Sequence, residues 1–276
     1  MKKYLTLGFL FVSSLLSAQK AIQVKLADGS ITDESPIIKS WINGNEYTAA
    51  TLTVYPATTP NGQAIIACPG GGYAGIAVTH EGHDMAAWFN TQGITYAVLH
   101  YRMPYGKHDI PLSDAQQAIR YMRKHAAKWN IKTLGVMGFS AGGHLASTVA
   151  THFTSDTRPD FQILFYPVVT MGECTHQGSR NNLLGKNPST ELARRYSNEQ
   201  QVTVQTPPAF ILHCSDDKVV SVINSVNYYL AMLEKGVSAT MHLYPIGGHG
   251  WGYNENFPYK AQWKDELEKW LLEINK

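Results

Sequence analysis

Apolar runs alternate along the chain with longer segments in which apolar residues recur every three or four positions. The runs lie at 51–55, 64–68, 95–101, 133–137, 162–166, 209–214 and 239–244. Each run is almost continuously apolar, which is typical of strands buried on both faces of a parallel sheet. The periodic segments predict helices at about 80–91, 112–129, 141–152, 221–235 and 258–274.

Strands that alternate with helices indicate an α/β fold with a mostly parallel central sheet and helices on both faces. We interpret residues 20–276 as a single domain of this kind. The polar segment at about 170–206 interrupts the alternation, and we expect it to form a small insertion over one end of the sheet. In the second helix, Ser113 and Gln116 have the spacing of a capping box, which predicts a helix start there.

The first 19 residues have a different character. Lys2 and Lys3 precede an apolar run at 5–16, and Ser17, Ala18 and Gln19 follow it. This is the arrangement of a secretory signal peptide, with a buried N-terminal helix as the alternative. The run is too short to span a membrane comfortably, and no later segment approaches the required length. We therefore expect cleavage near Ala18 or Gln19 and a mature protein that is secreted or periplasmic, without a membrane span.

Composition and charge exclude several classes of protein. Apolar residues make up 44% of the chain and charged residues 16%, which is typical of a globular protein. The sequence has 23 basic and 21 acidic residues, and loss of Lys2 and Lys3 leaves 21 of each. Without a basic run or excess of positive charge, we expect no nucleic-acid partner.

The chain has three cysteines, Cys68, Cys174 and Cys214, and no CxxC motif. This pattern gives no support to zinc or thioredoxin-type chemistry. Cys68 and Cys214 each end an apolar run, so we expect both to be small buried apolar residues. One disulfide is compatible with an oxidising compartment, and the sequence leaves that pairing open.

The most informative motif is Gly138-Phe139-Ser140-Ala141-Gly142, between a predicted strand and a predicted helix. G-x-S-x-G in this setting is the nucleophile elbow, a tight turn that exposes the serine hydroxyl at the carboxyl end of a strand. The helix that follows directs its positive end towards the same point. The sequence therefore predicts that Ser140 is a catalytic nucleophile.

A serine nucleophile needs a base and a carboxylate that orients the base. Asp216 and Asp217 follow the run at 209–214, and His249 follows the run at 239–244. The chain thus has the order Ser, Asp, His that is found in hydrolases with a nucleophile elbow. Each candidate follows its own strand, at the edge where open α/β sheets bind ligands, so we expect the side chains to converge.

Consecutive glycines follow the run at 64–68. We expect the backbone amides of Gly71 and Gly72, together with that of Ala141, to form an oxyanion hole, as glycine-rich loops of esterases do. Tyr73 and Trp251 flank this predicted site, and we assign them to substrate binding, with core packing as the alternative.

The same loop contains Gly70, Gly72 and Gly75, which literally spell the dinucleotide-binding motif G-x-G-x-x-G. That motif also requires an acidic residue about 20 positions further on. Residues 89–107 contain no Asp or Glu, so we reject a nicotinamide cofactor and expect no cofactor of any kind.

Several other polar residues have structural interpretations. His80, Glu81 and His83 resemble a metal-binding patch but lack the H-E-x-x-H spacing, so we expect a helix N-terminal turn and no metal. Arg102 follows a strand, and we favour a structural role for it over contact with the glycine loop or the acidic loop. His144 lies four residues after Ser140 on the same helix, and we expect it to pack behind the site.

With these motifs placed, the chain resembles an α/β-hydrolase-fold serine esterase. It is most similar to secreted bacterial acetyl-xylan-esterase-like hydrolases, relatives of the hormone-sensitive-lipase-like and dienelactone-hydrolase-like groups. The resemblance covers about residues 45–275 and is clearest in PGGGYAGIAVTHEG from Pro69, YRMP from Tyr101, DAQQAIRYMR from Asp114, GVMGFSAGGHLA from Gly135, LHCSDDKVV from Leu212 and GGHGW from Gly247.

The resemblance has specific consequences. It implies a central sheet of about eight strands, an acyl-enzyme mechanism and an acetyl ester of a plant polysaccharide or oligosaccharide as substrate. Many such hydrolases have Asp-x-x-Val after this strand, and that register selects Asp217, leaving Asp216 to local turn hydrogen bonds. The sequence departs from its relatives at Ser221, where they often have proline, and at Pro69, where the usual residue is histidine.

Two other functions are compatible with parts of this pattern. A prolyl-oligopeptidase-like peptidase has a similar triad order, but such enzymes carry a propeller domain, for which the roughly 50 residues between the signal peptide and the glycines leave no room. A non-catalytic binding module on a hydrolase fold is the other alternative. An intact set of Ser, Asp and His argues against it.

Overall fold

A computed structural model describes residues 20–27, 29–32, 41–46 and 48–275. The predicted signal peptide lies outside the described residues. Within these ranges the strands are β1 (Ile22–Lys25), β2 (Ile31–Thr32), β3 (Ile42–Asn43), β4 (Thr51–Tyr55), β5 (Gln63–Cys68), β6 (Gly75–Ile76), β7 (Thr95–His100), β8 (Thr133–Phe139), β9 (Phe161–Phe165), β10 (Ala209–Cys214) and β11 (Ala239–Tyr244).

The main sheet has the strand order β11-β10-β9-β8-β5-β7-β4-β1-β2. The six strands from β11 to β7 are parallel to one another. The pairs β7–β4, β4–β1 and β1–β2 are antiparallel. The expectation of a mostly parallel sheet is confirmed, with nine strands in the described residues where about eight are expected. The two-residue strands β3 and β6 form a separate antiparallel pair.

The helices are α1 (Ala86–Thr91), α2 (Asp109–Lys124), α3 (Ala141–Thr151), α4 (Gln177–Leu184), α5 (Thr190–Arg195), α6 (Ile223–Glu234) and α7 (Lys260–Glu273). Buried residues of α2, α3 and α6 pack against one face of the sheet. Those of α1 and α7 pack against the other. Helices therefore cover both faces, as the near-continuous apolar strands predict. No helix in the described ranges is long and apolar enough to cross a membrane.

The central strands show how the sequence produces this layered core. Every residue of β5 is buried, with Ile66 in the apolar cluster on one face and Ile65 in the cluster on the other. Full burial of such a side chain stabilises the fold by about 1.5–3 kcal/mol. Because both faces are covered, the apolar character of the strand is continuous, not alternating.

Two local predictions need correction. Helix α2 begins at Asp109, so Ser113 and Gln116 lie inside it and do not form a capping box. Instead, the Ser113 hydroxyl accepts a hydrogen bond from Gln117, and the Gln116 amide donates to the carbonyl of His152. The predicted helix at 80–91 is a short 3-10 turn at His83–Met85 that leads into α1.

The segment at 170–206 contains regular structure that the apolar pattern does not predict. Helix α4 is capped by the His176 side chain, which accepts from the Ser179 amide. Helix α5 is capped by Ser189, whose hydroxyl accepts from the Leu192 amide. Helices this short have too few turns to show a clear apolar period, which is why the pattern does not predict them. Because short helices are only marginally stable on their own, the capping side chains contribute to the stability of their first turns.

Candidate active site

Ser140 lies in a sharp turn between β8 and α3. Its φ of 52° and ψ of −118° are unusual for a residue with a side chain. A Cβ at Gly138 would lie 2.1 Å from the carbonyl oxygen of Gly142, and one at Gly142 would lie 2.0 Å from that of Cys68. Both positions therefore require glycine, which explains the pattern of the motif. The Ser140 amide donates to the carbonyl of Phe165, 3.0 Å away, on the neighbouring strand.

The structure brings Ser140, His249 and Asp217 together at the carboxyl edge of the sheet. The Ser140 Oγ lies 2.8 Å from His249 Nε2, and His249 Nδ1 lies 2.6 Å from Asp217 Oδ2. In this arrangement Nδ1 donates to the carboxylate, which leaves Nε2 free to accept the serine proton. The imidazole is partly exposed, whereas the carboxylate is buried. The geometry matches that of a serine nucleophile with an oriented general base.

All acceptor positions of the Asp217 carboxylate are used. Its Oδ1 accepts the amides of Val219 and Val220 at 2.8 and 3.0 Å. Its Oδ2 accepts from His249 and also from Nε2 of His213, at 3.2 Å. Burial alone would raise the pKa of Asp217, but the hydrogen bonds from His213 and His249 lower it well below its ordinary value. The group therefore stays ionised when His249 requires a negative partner.

His213 is a contact of the site that the sequence interpretation missed. It lies within the buried strand β10, and its Nδ1 accepts from the Ser225 hydroxyl at 2.7 Å, so that Nε2–H is shared between Asp217 Oδ2 and the carbonyl of Val220. A histidine inside the apolar run 209–214 is a visible signal, since a buried polar ring needs hydrogen-bond partners.

The neighbouring Asp216 has a different role from the one expected. Its carboxylate accepts the amides of Gly247 and Gly248 at 3.2 and 2.8 Å, more than 30 residues further along the chain. The expectation of local turn hydrogen bonds is therefore wrong. Asp216 instead connects the loop that contains His249 to the end of β10 through these two hydrogen bonds.

The glycine loop lies directly against Ser140. A Cβ at Gly70 would be 3.0 Å from the Ser140 Cβ. Among the described residues, the amides of Gly71, Gly72 and Ala141 donate to no backbone carbonyl outside the helices and strands. Backbone amides of this kind are the donors that a developing oxyanion requires.

Contacts from three directions hold the glycine loop. The Tyr101 hydroxyl donates to the carbonyl of Pro69 at 2.8 Å. Position 69 is the one at which the resemblance would place a histidine. The Asn182 side chain, on α4, donates to the carbonyl of Gly72, also at 2.8 Å. The strand β3 pairs with β6 immediately after the loop. The segment at 170–206 therefore contacts the glycine loop through Asn182, and the N-terminal strand β3 contacts the strand that follows the loop.

Both aromatic side chains assigned to substrate binding are buried. Tyr73 is 2% exposed, and its hydroxyl hydrogen-bonds with Nδ1 of His144 at 2.9 Å. Trp251 is 4% exposed and stacks on Phe257, with ring centroids 3.9 Å apart. This burial favours the core-packing alternative for both residues, and their role in substrate binding stays a prediction. His144 is also buried, as expected for a residue that packs behind the site. This burial lowers its pKa to about 4 by desolvation.

The remaining polar residues have structural contacts. The Arg102 guanidinium forms a bidentate pair with Asp114 on α2, with Nη2 2.6 Å from Oδ1. All three cysteines are unpaired, with Cys68 and Cys214 buried and Cys174 exposed. Desolvation raises the pKa of the buried Cys68 thiol to about 12. In the described part of the chain, no group of three or more metal-ligating residues comes together.

Comparison with solved structures identifies the class of protein as an α/β-hydrolase. The acetyl ester-xyloside bifunctional hydrolase of Caldicellulosiruptor lactoaceticus superposes with a TM-score of 0.81 at 36% identity, covering 91% of this chain and 96% of that one. A sugar hydrolase of Lactococcus lactis superposes with a TM-score of 0.72 at 28% identity, covering 82% and 95%.

The chain belongs to the BD-FAE family, whose model matches residues 52–232. It is 38% identical to an acetylxylan esterase of Xylanibacter ruminicola over 96% of its length, and 39% identical to endo-1,4-beta-xylanase B of Butyrivibrio fibrisolvens over 67%. The chain spans only 55% of the first of these relatives and 32% of the second. The resemblance to acetyl-xylan-esterase-like hydrolases is thus confirmed.

Proposed function

We propose that this protein is a serine carboxylesterase that removes short acyl groups, acetyl above all, from plant polysaccharides or their oligosaccharides. The observation that supports this most directly is the continuous hydrogen-bonded chain from Asp217 through His249 to Ser140 at a nucleophile elbow. Three backbone amides that donate to no backbone carbonyl outside the helices and strands lie in the described segments that border the serine.

The reaction proceeds in two halves. His249 takes the Ser140 proton as Oγ attacks the ester carbonyl carbon, and Asp217 stabilises the imidazolium that forms. The amides of Gly71, Gly72 and Ala141 stabilise the tetrahedral oxyanion, each contributing about 2.7–4 kcal/mol. His249 then protonates the departing alcohol, which leaves an acyl-serine. Water, deprotonated by His249, attacks this ester, and collapse of the second tetrahedral intermediate releases acetate and restores Ser140.

The substrate class is supported by the relatives and by the surface beside the glycine loop. Two similar proteins are an acetylxylan esterase and an acetyl ester-xyloside hydrolase. Trp41 is 47% exposed, and its ring approaches within 3.0 Å of where a Cβ on Gly71 would lie. Tyr105, 67% exposed, donates its hydroxyl to Asn45 on the adjacent segment. Exposed aromatic faces with nearby amides suit a pyranose ring, which is apolar on its faces and polar at its edge.

Export is part of the proposal. The segment 1–19 has the composition of a signal peptide, and its removal would leave 21 basic and 21 acidic residues in the mature chain. A formally neutral enzyme outside the cytoplasm suits an uncharged polysaccharide that does not enter the cell.

The decisive experiment combines a probe with two substrate panels. A fluorophosphonate that reacts with activated serines is expected to label the wild type and not Ser140→Ala. Acetate release from acetylated xylan is expected, with no cleavage of prolyl peptides. Labelling that survives in Ser140→Ala would overturn the assignment of the nucleophile, and cleavage of the peptides alone would overturn the reaction class.

A further inference from the structure

Glu81 is a buried carboxyl group beside the site for which the reaction above has no role. Its Oε2 accepts a hydrogen bond from the amide of Gly70 at 2.7 Å. Gly70 directly precedes Gly71 and Gly72 in the sequence, whose amides are assigned to the oxyanion. Its Oε1 accepts the Tyr166 hydroxyl at 2.8 Å. A buried carboxyl group is costly to maintain, so its two bonds need an explanation.

Tyr166 extends this connection to the histidine loop. It follows β9 directly, with a φ of +36° that few residues other than glycine adopt. Its hydroxyl donates to Glu81 and accepts the amide of Gly252 at 2.8 Å. Its ring packs edge-on against the imidazole of His249, with centroids 4.8 Å apart. Contacts of Glu81 and Tyr166 thus join the glycine loop to both the ring and the loop of His249.

We propose that Glu81 is a positioning residue that, as a carboxylate, fixes the oxyanion amides relative to His249 by accepting from Gly70 and from Tyr166. This inference rests on the proposed esterase function. A carboxylate accepts at both oxygens, whereas a protonated acid or an amide places a donor on one of them. Since the Gly70 N–H can only donate, that donor must face the Tyr166 hydroxyl, whose oxygen already accepts the Gly252 amide, and the Tyr166 O–H would lose its acceptor.

The requirement for a charge makes the arrangement sensitive to acid. Burial raises the pKa of Glu81, against the opposing effects of the Tyr166 hydroxyl, His80 and the Gly70 amide. The titratable groups that face it are His80, with Nε2 4.0 Å from Oε1, Tyr166, the more distant His249, and Tyr101, whose own pKa rises in part through Glu81. Glu81 therefore takes up a proton at a higher pH than an exposed glutamate, and the Tyr166 O–H then loses its acceptor.

The test compares Glu81→Gln with Glu266→Gln, a matched control. Glu266 on α7 also accepts a tyrosine hydroxyl, that of Tyr244 at 2.7 Å, and it pairs with His242. With p-nitrophenyl acetate, Glu81→Gln is expected to lower kcat by roughly 10- to 100-fold and to change KM by less than about threefold, since displaced catalytic groups slow chemistry more than binding. Glu266→Gln is expected to keep wild-type kcat.

The pH profile adds a readout that a purely structural role would not move. In the wild type, protonation of Glu81 is expected to add to the fall of kcat/KM in acid, because burial raises the pKa of this carboxyl group. Glu81→Gln lacks this contribution, and its acid limb is expected to be shallower than that of the wild type. Wild-type kcat together with an unchanged acid limb in Glu81→Gln would overturn the proposal.

Two further measurements separate the possible failures. If Glu81→Gln does not fold, Tyr166→Phe keeps the ring and removes the hydroxyl, and the same loss of kcat is expected; wild-type kcat in that variant would overturn the proposal. The rate of fluorophosphonate labelling of Ser140 is expected to fall with kcat in both variants. A wild type that labels at Ser140 but hydrolyses no ester would contradict the esterase proposal, and slower labelling of Glu81→Gln would still support its positioning role.

Discussion

The interior of the sheet and its carboxyl edge are built from different interactions. In the interior, strands such as β5 and β10 are buried along their whole length and contact apolar side chains on both faces. At the edge, the decisive contacts are polar and join residues far apart in sequence, such as Ser140 and His249, 109 positions apart. Stability and chemistry are therefore separated in space, and substitutions in the two regions are expected to affect different measurements.

The largest effect on the edge is expected from Ser140→Ala. Loss of the nucleophile is expected to lower kcat by about 10⁶-fold, as in other serine hydrolases with an intact triad. The melting temperature is expected to change by no more than a few degrees, because alanine keeps the Cβ and loses only one hydroxyl contact, to His249. Ester hydrolysis and thermal unfolding followed by circular dichroism measure the two quantities. Activity within tenfold of the wild type would contradict the assignment.

The next largest effect compares the two adjacent aspartates. Asp217→Asn is expected to lower kcat by about 10⁴-fold, because an amide cannot hold the histidine tautomer that accepts the serine proton. Asp216→Asn keeps one acceptor oxygen for the amides of Gly247 and Gly248, so we expect a loss of roughly tenfold or less. The opposite ranking in kcat would show that Asp216 is the triad acid.

The interior of the sheet is the part that sequence patterns predict best. The run at 209–214 coincides with the buried strand β10. The run at 239–244 coincides with β11, but this strand is the outermost one of the sheet and only Tyr244 in it is buried, so the prediction of burial on both faces is wrong for it. Because strand ends fix where the following residues lie, the convergence of Asp217 and His249 follows from the strand pattern together with the order of motifs. The buried, unpaired state of Cys68 and Cys214 also agrees with their position at the ends of apolar runs.

The polar contacts of the edge could not be read from the same patterns. Tyr73 and Trp251 are close to the site in sequence, but both rings are buried in the core, and residue type alone does not show this. Glu81 and Tyr166 are 85 residues apart and follow no motif that pairs them. Such long-range hydrogen bonds depend on the completed fold, which periodicity does not encode.

In the interior, Ile163→Ala on β9 is expected to lower stability without a specific effect on catalysis. Ile163 is fully buried among apolar side chains, and truncation of such a residue costs about 2–5 kcal/mol. Denaturant unfolding measures the change in the free energy of unfolding. At 25 °C, kcat/KM per folded molecule is expected to stay within about threefold of the wild type. A large loss of kcat without a loss of stability would erase the distinction between interior and edge.

The smallest effect is expected from Trp41→Ala. This variant tests whether residues at the carboxyl edge that bind the sugar can be separated from those that carry out the reaction. If Trp41 contacts the sugar, its loss is expected to reduce kcat/KM about tenfold for an acetylated xylo-oligosaccharide, which corresponds to about 1.4 kcal/mol. Hydrolysis of p-nitrophenyl acetate, which has no sugar ring, is expected to change by less than about twofold.

The control is Leu230→Ala, which truncates an apolar side chain that is 55% exposed on α6. It is expected to leave both substrates unaffected, since exposure of a single apolar residue is common and has no functional meaning by itself. Equal losses of kcat/KM on both substrates in Trp41→Ala would mean that the ring supports the glycine loop, which it closely approaches at Gly71. A selective loss on the oligosaccharide would instead show that polysaccharide recognition begins directly beside the oxyanion amides.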